Sequence, residues 1–143
     1  MMLAAQIACG FVAVQHVGIL ILEMFLWRKP IGMKIFGLKS QALADESAPL
    51  AMNQGLYNGF LAAGLFWALL TPWAARGGLA GAVADATAHA SGTIDGRCVG
   101  LFFLGCVVVA GIFGGITAKR SIIVVQGLPA AIGFGLTWFA APS

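Results

Sequence analysis

The chain has 143 residues, of which 60% are hydrophobic and only 9% are charged, and its formal net charge is +3. A soluble domain carries roughly 25% charged residues, so a surface this poor in charge cannot face water on all sides. The basic residues flank apolar stretches, which is typical of a membrane protein and argues against a nucleic-acid partner.

Four apolar stretches are long enough to cross a bilayer, which takes about 20 residues. They lie at about 3–27, 50–73, 98–117 and 122–139. The predicted fold is all-α: an integral membrane four-helix bundle that forms one domain over residues 1–143. The first stretch is not expected to be a cleaved signal peptide, because no basic residue precedes it and the basic run WRKP follows it.

The first span contains two ionisable residues, His16 and Glu23. Seven residues separate them, so they share one helix face about 10 Å apart, and Trp27 continues that face at headgroup level. Ionisable side chains inside a span are costly and indicate function. We predict Glu23 to be an acid, a base or a polar anchor. His16 is predicted to handle protons or to be a satisfied packing residue. In the alternative, purely structural role, Glu23 pairs with a basic residue of the following loop.

The loop after the first span mixes apolar residues with lysines, and it ends at an acidic and proline-containing stretch. The mixture is compatible with a segment in the headgroup layer or with an ordinary loop. Asp45, Glu46 and Ser47 precede Pro49, which predicts that the second helix begins near Ser47.

The second span opens with the polar motif NQGLYNG, in which Asn53, Gln54, Tyr57 and Asn58 lie at the depth expected for Glu23. Gln126 enters the fourth span from the same side. Lipid-exposed polar groups cost free energy, whereas groups turned inward can bond to one another. The sequence therefore predicts an internal polar pocket formed by these residues and Glu23, with Trp27 at its edge. A purely structural role, as hydrogen bonds between helices, is the alternative.

Small residues recur at four-residue spacing in three spans, which predicts close helix contacts and allows homo-oligomers. The stripes are Gly55, Gly59 and Ala63; Cys106, Ala110, Gly114 and Ala118; and Gly127, Ala131 and Gly135.

The long middle loop is rich in alanine and glycine, and its Asp85 and His89 are four residues apart. Two ligands are too few for a metal site, so no metal is predicted and the cofactor, if there is one, is unknown.

The orientation follows from lysine and arginine. Six of the eight lie in the loops after the first and third spans: Arg28, Lys29, Lys34, Lys39, Lys119 and Arg120. The opposite side has only Arg76 and Arg97. The positive-inside rule then predicts a multi-pass protein of a bacterial inner membrane with both termini outside the cytoplasm.

Four motifs, EMFLW, NQGLYNGFLAAGL, FFLGCVVVAGIFG and VQGLPA, resemble the small bacterial and fungal membrane proteins of the domain-of-unknown-function family numbered thirteen-oh-four. The resemblance spans all four predicted helices, and it implies a four-helix integral membrane protein without assigning an activity. The middle loop is longer than the family pattern.

Three functions remain open. The first is a membrane-embedded site that binds a small lipophilic molecule, or also transforms it by acid–base chemistry. The second is a small dimeric proton-coupled transporter, by analogy with small multidrug-efflux proteins. The third is a structural or partner subunit of the membrane. Membrane lipid is an expected partner in all three. No zinc motif, nucleophile elbow or dinucleotide fingerprint occurs.

Overall fold

The computed structural model describes residues 1–73, 92 and 94–140. Five α-helices and one π-helical segment account for most of this part of the chain: α1 (Met2–Met24), α2 (Pro30–Phe36), α3 (Gln41–Leu70), α4 (Gly96–Thr117), the π-helix Ile123–Gly127 and α5 (Leu128–Phe139). The four predicted spans are helical, except that residues 25–27 and 71–73 are not. Asp85 and His89 lie outside the described residues.

The helix α1 ends at Met24, three residues before the predicted end of the span, and a turn follows. Pro30 then begins the short helix α2, which the sequence reading left undecided between a surface segment and a loop. Gly37 ends α2 in the left-handed conformation, with φ 71° and ψ 33°. A residue without Cβ adopts this conformation at little cost, which explains why the helix stops there.

The helix α3 begins at Gln41, so the predicted start near Ser47 is wrong. The hydroxyl Oγ of Ser40 accepts the backbone N–H of Leu43 at 3.2 Å and caps the helix about two turns earlier than predicted. Pro49 therefore lies inside the helix rather than in its first turn. The hydroxyl of Ser47 instead donates to the backbone carbonyl of Leu43 at 2.6 Å.

The chain divides into two compact units, and residues 14–62 form one of them. Within this unit α1 and α3 run antiparallel in close contact. A Cβ added at Gly59 would lie 2.7 Å from Cδ1 of Leu20, and one added at Gly55 would lie 2.5 Å from Cγ of Met24. The small-residue stripe of α3 thus forms a helix interface at these two glycines, as predicted, because only residues without side chains fit there.

The other unit contains residues 1–13 and 63–143. In it α4 approaches the π-helical segment so closely that a Cβ added at Gly111 would lie 2.6 Å from Cα of Gly127. The buried face of α4 includes Gly111 and Gly115. Of the predicted α4 stripe, Gly114 makes a close contact, because a Cβ there would lie 3.2 Å from Cγ2 of Ile122. Cys106 is half-buried and Ala110 is exposed, and the closest approach of α4 is made instead by the pair Gly111 and Gly115.

Two described helices, Met2–Met24 and Gly96–Thr117, are long and apolar enough to cross a membrane. Both leave large apolar side chains uncovered. In α1 these include Leu3, Ile7, Phe11 and Val14, and in α4 they include Phe102, Val109, Phe113 and Ile116. Water would be a poor solvent for such faces.

Candidate polar site at Glu23 and Asn58

The last turn of α1 and the middle of α3 bring a carboxylic acid and an amide into direct contact. Nδ2 of Asn58 donates a hydrogen bond to Oε2 of Glu23 at 2.8 Å. Both side chains are half-buried. The pairing of Glu23 with Asn58 that the matched depths predict is therefore present.

A second hydrogen bond fixes the amide of Asn58. The same Nδ2 atom lies 3.1 Å from the backbone carbonyl oxygen of Gln54, one turn earlier in α3. An amide nitrogen has two hydrogens, and these two acceptors use both of them. The nitrogen side of Asn58 is thus fully engaged, and its oxygen Oδ1 is the atom left for another partner.

Gly55 makes this contact between the helices geometrically feasible. A Cβ at position 55 would lie 3.2 Å from Cβ of Glu23 and 3.3 Å from the backbone oxygen of Leu20, in addition to its clash with Met24. Any side chain there would push α1 away from α3 near the carboxyl group. The sequence reading assigned Gly55 to helix packing alone, and it missed that the same glycine positions the polar pair.

Two oxygen atoms of the pair remain available to a ligand. Within the described residues, neither Oε1 of Glu23 nor Oδ1 of Asn58 has a hydrogen-bond partner. An ionised carboxylate and an amide oxygen are both acceptors, so together they suit a group that donates hydrogen bonds. A hydroxyl, an amine or an ammonium group fulfils this condition, whereas a carbonyl does not.

Trp27, in the turn that follows α1, makes a separate contact. Its indole Nε1–H donates to Oγ of Ser47 at 3.1 Å, and its ring lies 4.6 Å from the ring of Phe36, centroid to centroid. The turn after α1 is therefore attached both to α2 and to the first half of α3. The only hydrogen-bond donor of the indole is therefore already used. The predicted ligand-binding role of Trp27 stays a prediction.

The remaining motif residues of α3 point outward. Asn53, Gln54 and Tyr57 are exposed, and of these only the backbone carbonyl of Gln54 belongs to the contact with Asn58. The ring of Tyr57 lies 6.3 Å from that of Phe60. Exposed amides and a tyrosine near the end of a span suit the headgroup layer, where aromatic and polar groups are both solvated.

The two other predicted site residues are His16 and Gln126. His16 is 1% exposed and sits two turns before Glu23 in α1. Gln126 is half-buried in the π-helical segment of the other unit, so its predicted place in the pocket stays a prediction. Among the described residues, no three His, Cys, Asp or Glu side chains group as a metal site would require.

A family profile described as a protein of unknown function, DUF1304, matches residues 10–138. The chain belongs to the DUF1304 family. The resemblance read from the four sequence motifs is therefore confirmed. In this DUF1304 protein the match includes Glu23, Asn58 and every other predicted site residue. Comparisons with curated proteins and with solved structures find no match.

Proposed function

We propose that this protein is a multi-pass membrane protein whose Glu23–Asn58 pair binds the hydrogen-bond-donating head of a small lipophilic molecule. The observation that carries the proposal is the fixed amide of Asn58, which holds Oε2 of Glu23 and leaves Oε1 of Glu23 and Oδ1 of Asn58 without a partner among the described residues.

Lipid is the solvent that best fits the surface of the chain. Two helices have the length and composition of membrane spans, and their uncovered faces are apolar. The polar motif NQGLYNG lowers the hydropathy of α3, and α5 with its π-helical start is short, so neither belongs to the two clear candidates. In the proposed arrangement both also cross the membrane, α3 with its exposed amides at the boundary.

The position of Glu23 favours ligand binding over proton-coupled transport. Glu23 is the second-last residue of α1, close to the end of the span rather than at its centre. A proton-coupled transporter needs a carboxylate that reaches both sides of the membrane in turn, and a terminal position serves that poorly. A ligand that enters from the headgroup layer, with its polar head at Glu23 and its carbon skeleton in the lipid, fits this depth.

Acid–base chemistry is the reaction type that the pair can support. With Oε2 held by Asn58, the free Oε1 of Glu23 can take a proton from a bound hydroxyl or return one to it. Asn58 would position the carboxyl group, and its Oδ1 would orient the donor group of the ligand.

Mass spectrometry of the molecules retained by the purified protein tests the proposal. Glu23→Gln keeps the size of the side chain but replaces one acceptor oxygen by a donor, and a bound hydroxyl or amine compound should be lost. Glu46→Gln is the matched control, because Glu46 is exposed and lies on the same helix as Asn58. Equal retention by the native protein and Glu23→Gln would overturn the proposal.

A further inference from the structure

Arg97, in the first turn of α4, is a buried cation attached to the end of another helix. It is only 6% exposed. Its Nε donates to the backbone oxygen of Thr137 at 2.9 Å, and its Nη2 donates to that of Trp138 at 2.6 Å. Both carbonyls belong to the last turn of α5, where helix carbonyls lack intrahelical partners and carry partial negative charge.

The protein neutralises this cation incompletely. Among the described residues, Arg28 forms an ion pair with Asp45, whereas no carboxylate forms an ion pair with Arg97. Asp95 caps α4 by accepting the backbone N–H of Arg97 at 2.8 Å, and its Oδ2 accepts from the thiol of Cys98 at 3.8 Å, so neither of these contacts involves the guanidinium. A helix C-terminus supplies roughly half an elementary charge, which leaves net positive charge at the guanidinium. A buried cation calls for a counter-ion.

A pocket of about 460 Å³ opens at this cation. Its lining consists of Arg97, Cys98, Leu101 and Trp138. Cys98 and Trp138 are exposed, so the pocket is open to the surroundings while Arg97 forms its charged wall. Tryptophan is enriched at the level of lipid headgroups, and both helix ends that meet here are expected at that level.

A shallow apolar groove, formed by α4 alone and open to the surroundings, continues from the pocket. Leu101 lines both of them, and the groove extends to Phe113 past Cys106 and Ala110. Twelve residues of α-helix separate Leu101 from Phe113, a length of about 18 Å. An extended acyl chain has this length and chemistry, and it would enter the bilayer from the headgroup level as the groove does.

We infer that the pocket and the groove together bind one anionic phospholipid. Its phosphate lies against the guanidinium of Arg97, which is suited to phosphate oxygens, and one of its acyl chains lies in the groove along α4. The site is independent of the Glu23–Asn58 pair and takes a different class of head: an anion instead of a hydrogen-bond donor.

Native mass spectrometry of the full-length protein, exchanged in detergent into phosphatidylglycerol or into phosphatidylcholine with the same chains, tests this inference. The native protein should retain one phosphatidylglycerol at several-fold higher occupancy than phosphatidylcholine. Arg97→Gln keeps a donor for the α5 carbonyls but removes the charge, and it should bring the two occupancies together. Asp95→Asn keeps the helix cap and removes a nearby negative charge, so it should raise phosphatidylglycerol occupancy.

A second variant probes the groove in case Arg97→Gln does not fold. Ala110→Trp should fill the groove and lower the retention of both lipids. Its matched control is Ile116→Trp, because Ile116 is exposed on the same helix but outside the groove. Excess inorganic phosphate should not displace the lipid, because the acyl chain contributes to binding.

Three results would overturn the inference: equal retention of both lipids by the native protein, unchanged selectivity in a folded Arg97→Gln, or displacement by phosphate alone. Glu23→Gln should leave phosphatidylglycerol retention unchanged. A loss of the small lipophilic ligand without a loss of phosphatidylglycerol, or the reverse, therefore distinguishes failure of one proposal from failure of the other.

Discussion

Nδ2 of Asn58 lies 2.8 Å from Oε2 of Glu23, so the half-buried carboxyl group near the end of α1 is bonded to an amide of α3. This contact joins two helices within one compact unit. It leaves Oε1 of Glu23 without a hydrogen-bond partner among the described residues, and this is the atom to which the proposed function assigns ligand binding.

A double-mutant cycle on this pair should give a favourable coupling energy. We expect Glu23→Ala and Asn58→Leu to couple by at least about 0.6 kcal/mol, the average for hydrogen bonds between membrane helices, and by up to about 1.7 kcal/mol because the acceptor can be ionised. Reversible unfolding in mixed detergent and dodecyl sulfate micelles measures the four free energies. Substituting Glu46 by Ala in place of Glu23 should give no coupling, and additive effects for the true pair would contradict the prediction.

Gly55→Ala should destabilise the unit by about 1 kcal/mol net, because crowding by the added methyl group costs about 1–3 kcal/mol and exceeds the gain of up to about 1 kcal/mol in helix propensity. The Cβ would lie 2.5 Å from Cγ of Met24. The free energies of unfolding of the native protein and of Gly55→Ala test this prediction.

Gly18→Ala is the matched control for this substitution. Gly18 lies in α1 within the same unit, and an added Cβ there meets nothing within 4 Å. We expect it to be neutral or to stabilise the protein by up to about 1 kcal/mol. If both alanine variants are equally stable, α1 and α3 do not need the glycine to approach each other.

Trp27→Phe should loosen the turn between α1 and α2. The substitution keeps an aromatic ring for the contact with Phe36 but removes the indole hydrogen bond to Ser47, worth about 1 kcal/mol. Hydrogen–deuterium exchange should accelerate in the amides of Pro30–Phe36 that follow the proline. Ser47→Ala should give the same pattern, whereas Trp67→Phe, on the second half of α3, should not.

The sequence determined the helices well because a span has a length requirement that composition alone reveals. The predictions of the helix ends were less accurate. The cap Ser40 competes with the equally suitable Asp45–Ser47 stretch, and local chemistry does not decide between them. Pro30 and Gly37 mark the two ends of the short helix α2 locally, whereas the contact of Phe36 with Trp27 could not be read from a local pattern.

The contact between Glu23 and Asn58 joins two members of the polar pocket that was predicted by matching depths along the expected spans. The direction in which each side chain faces was not predictable in this way. In lipid the core of a helix bundle and its surroundings are both apolar, so hydrophobicity cannot tell an inward face from an outward one. For this reason Asn53, Gln54 and Tyr57 were expected to line the pocket with Asn58, although they are exposed. The close contacts of Gly111 and Gly115 were missed for the same reason.

Single-cysteine labelling should establish how many of the helices cross the membrane. If all four predicted spans cross, Cys98 lies outside the cytoplasm, whereas cysteines introduced by Lys39→Cys and Lys119→Cys lie inside. If only α1 and α4 cross, with the N-terminus outside, Cys98 is inside and position 119 is outside. Each cysteine is studied in a background whose other cysteines, among Cys9, Cys98 and Cys106, are replaced by alanine.

A membrane-impermeant maleimide applied to intact spheroplasts should label Cys98, which is exposed. Lys39→Cys and Lys119→Cys, at exposed positions, should react only after lysis. Position 119 decides between the two arrangements, because both place position 39 inside. Labelling of Lys119→Cys in intact spheroplasts, with protection of Cys98, would contradict the four-span arrangement and with it the headgroup-level location proposed for Asn53, Gln54 and Tyr57.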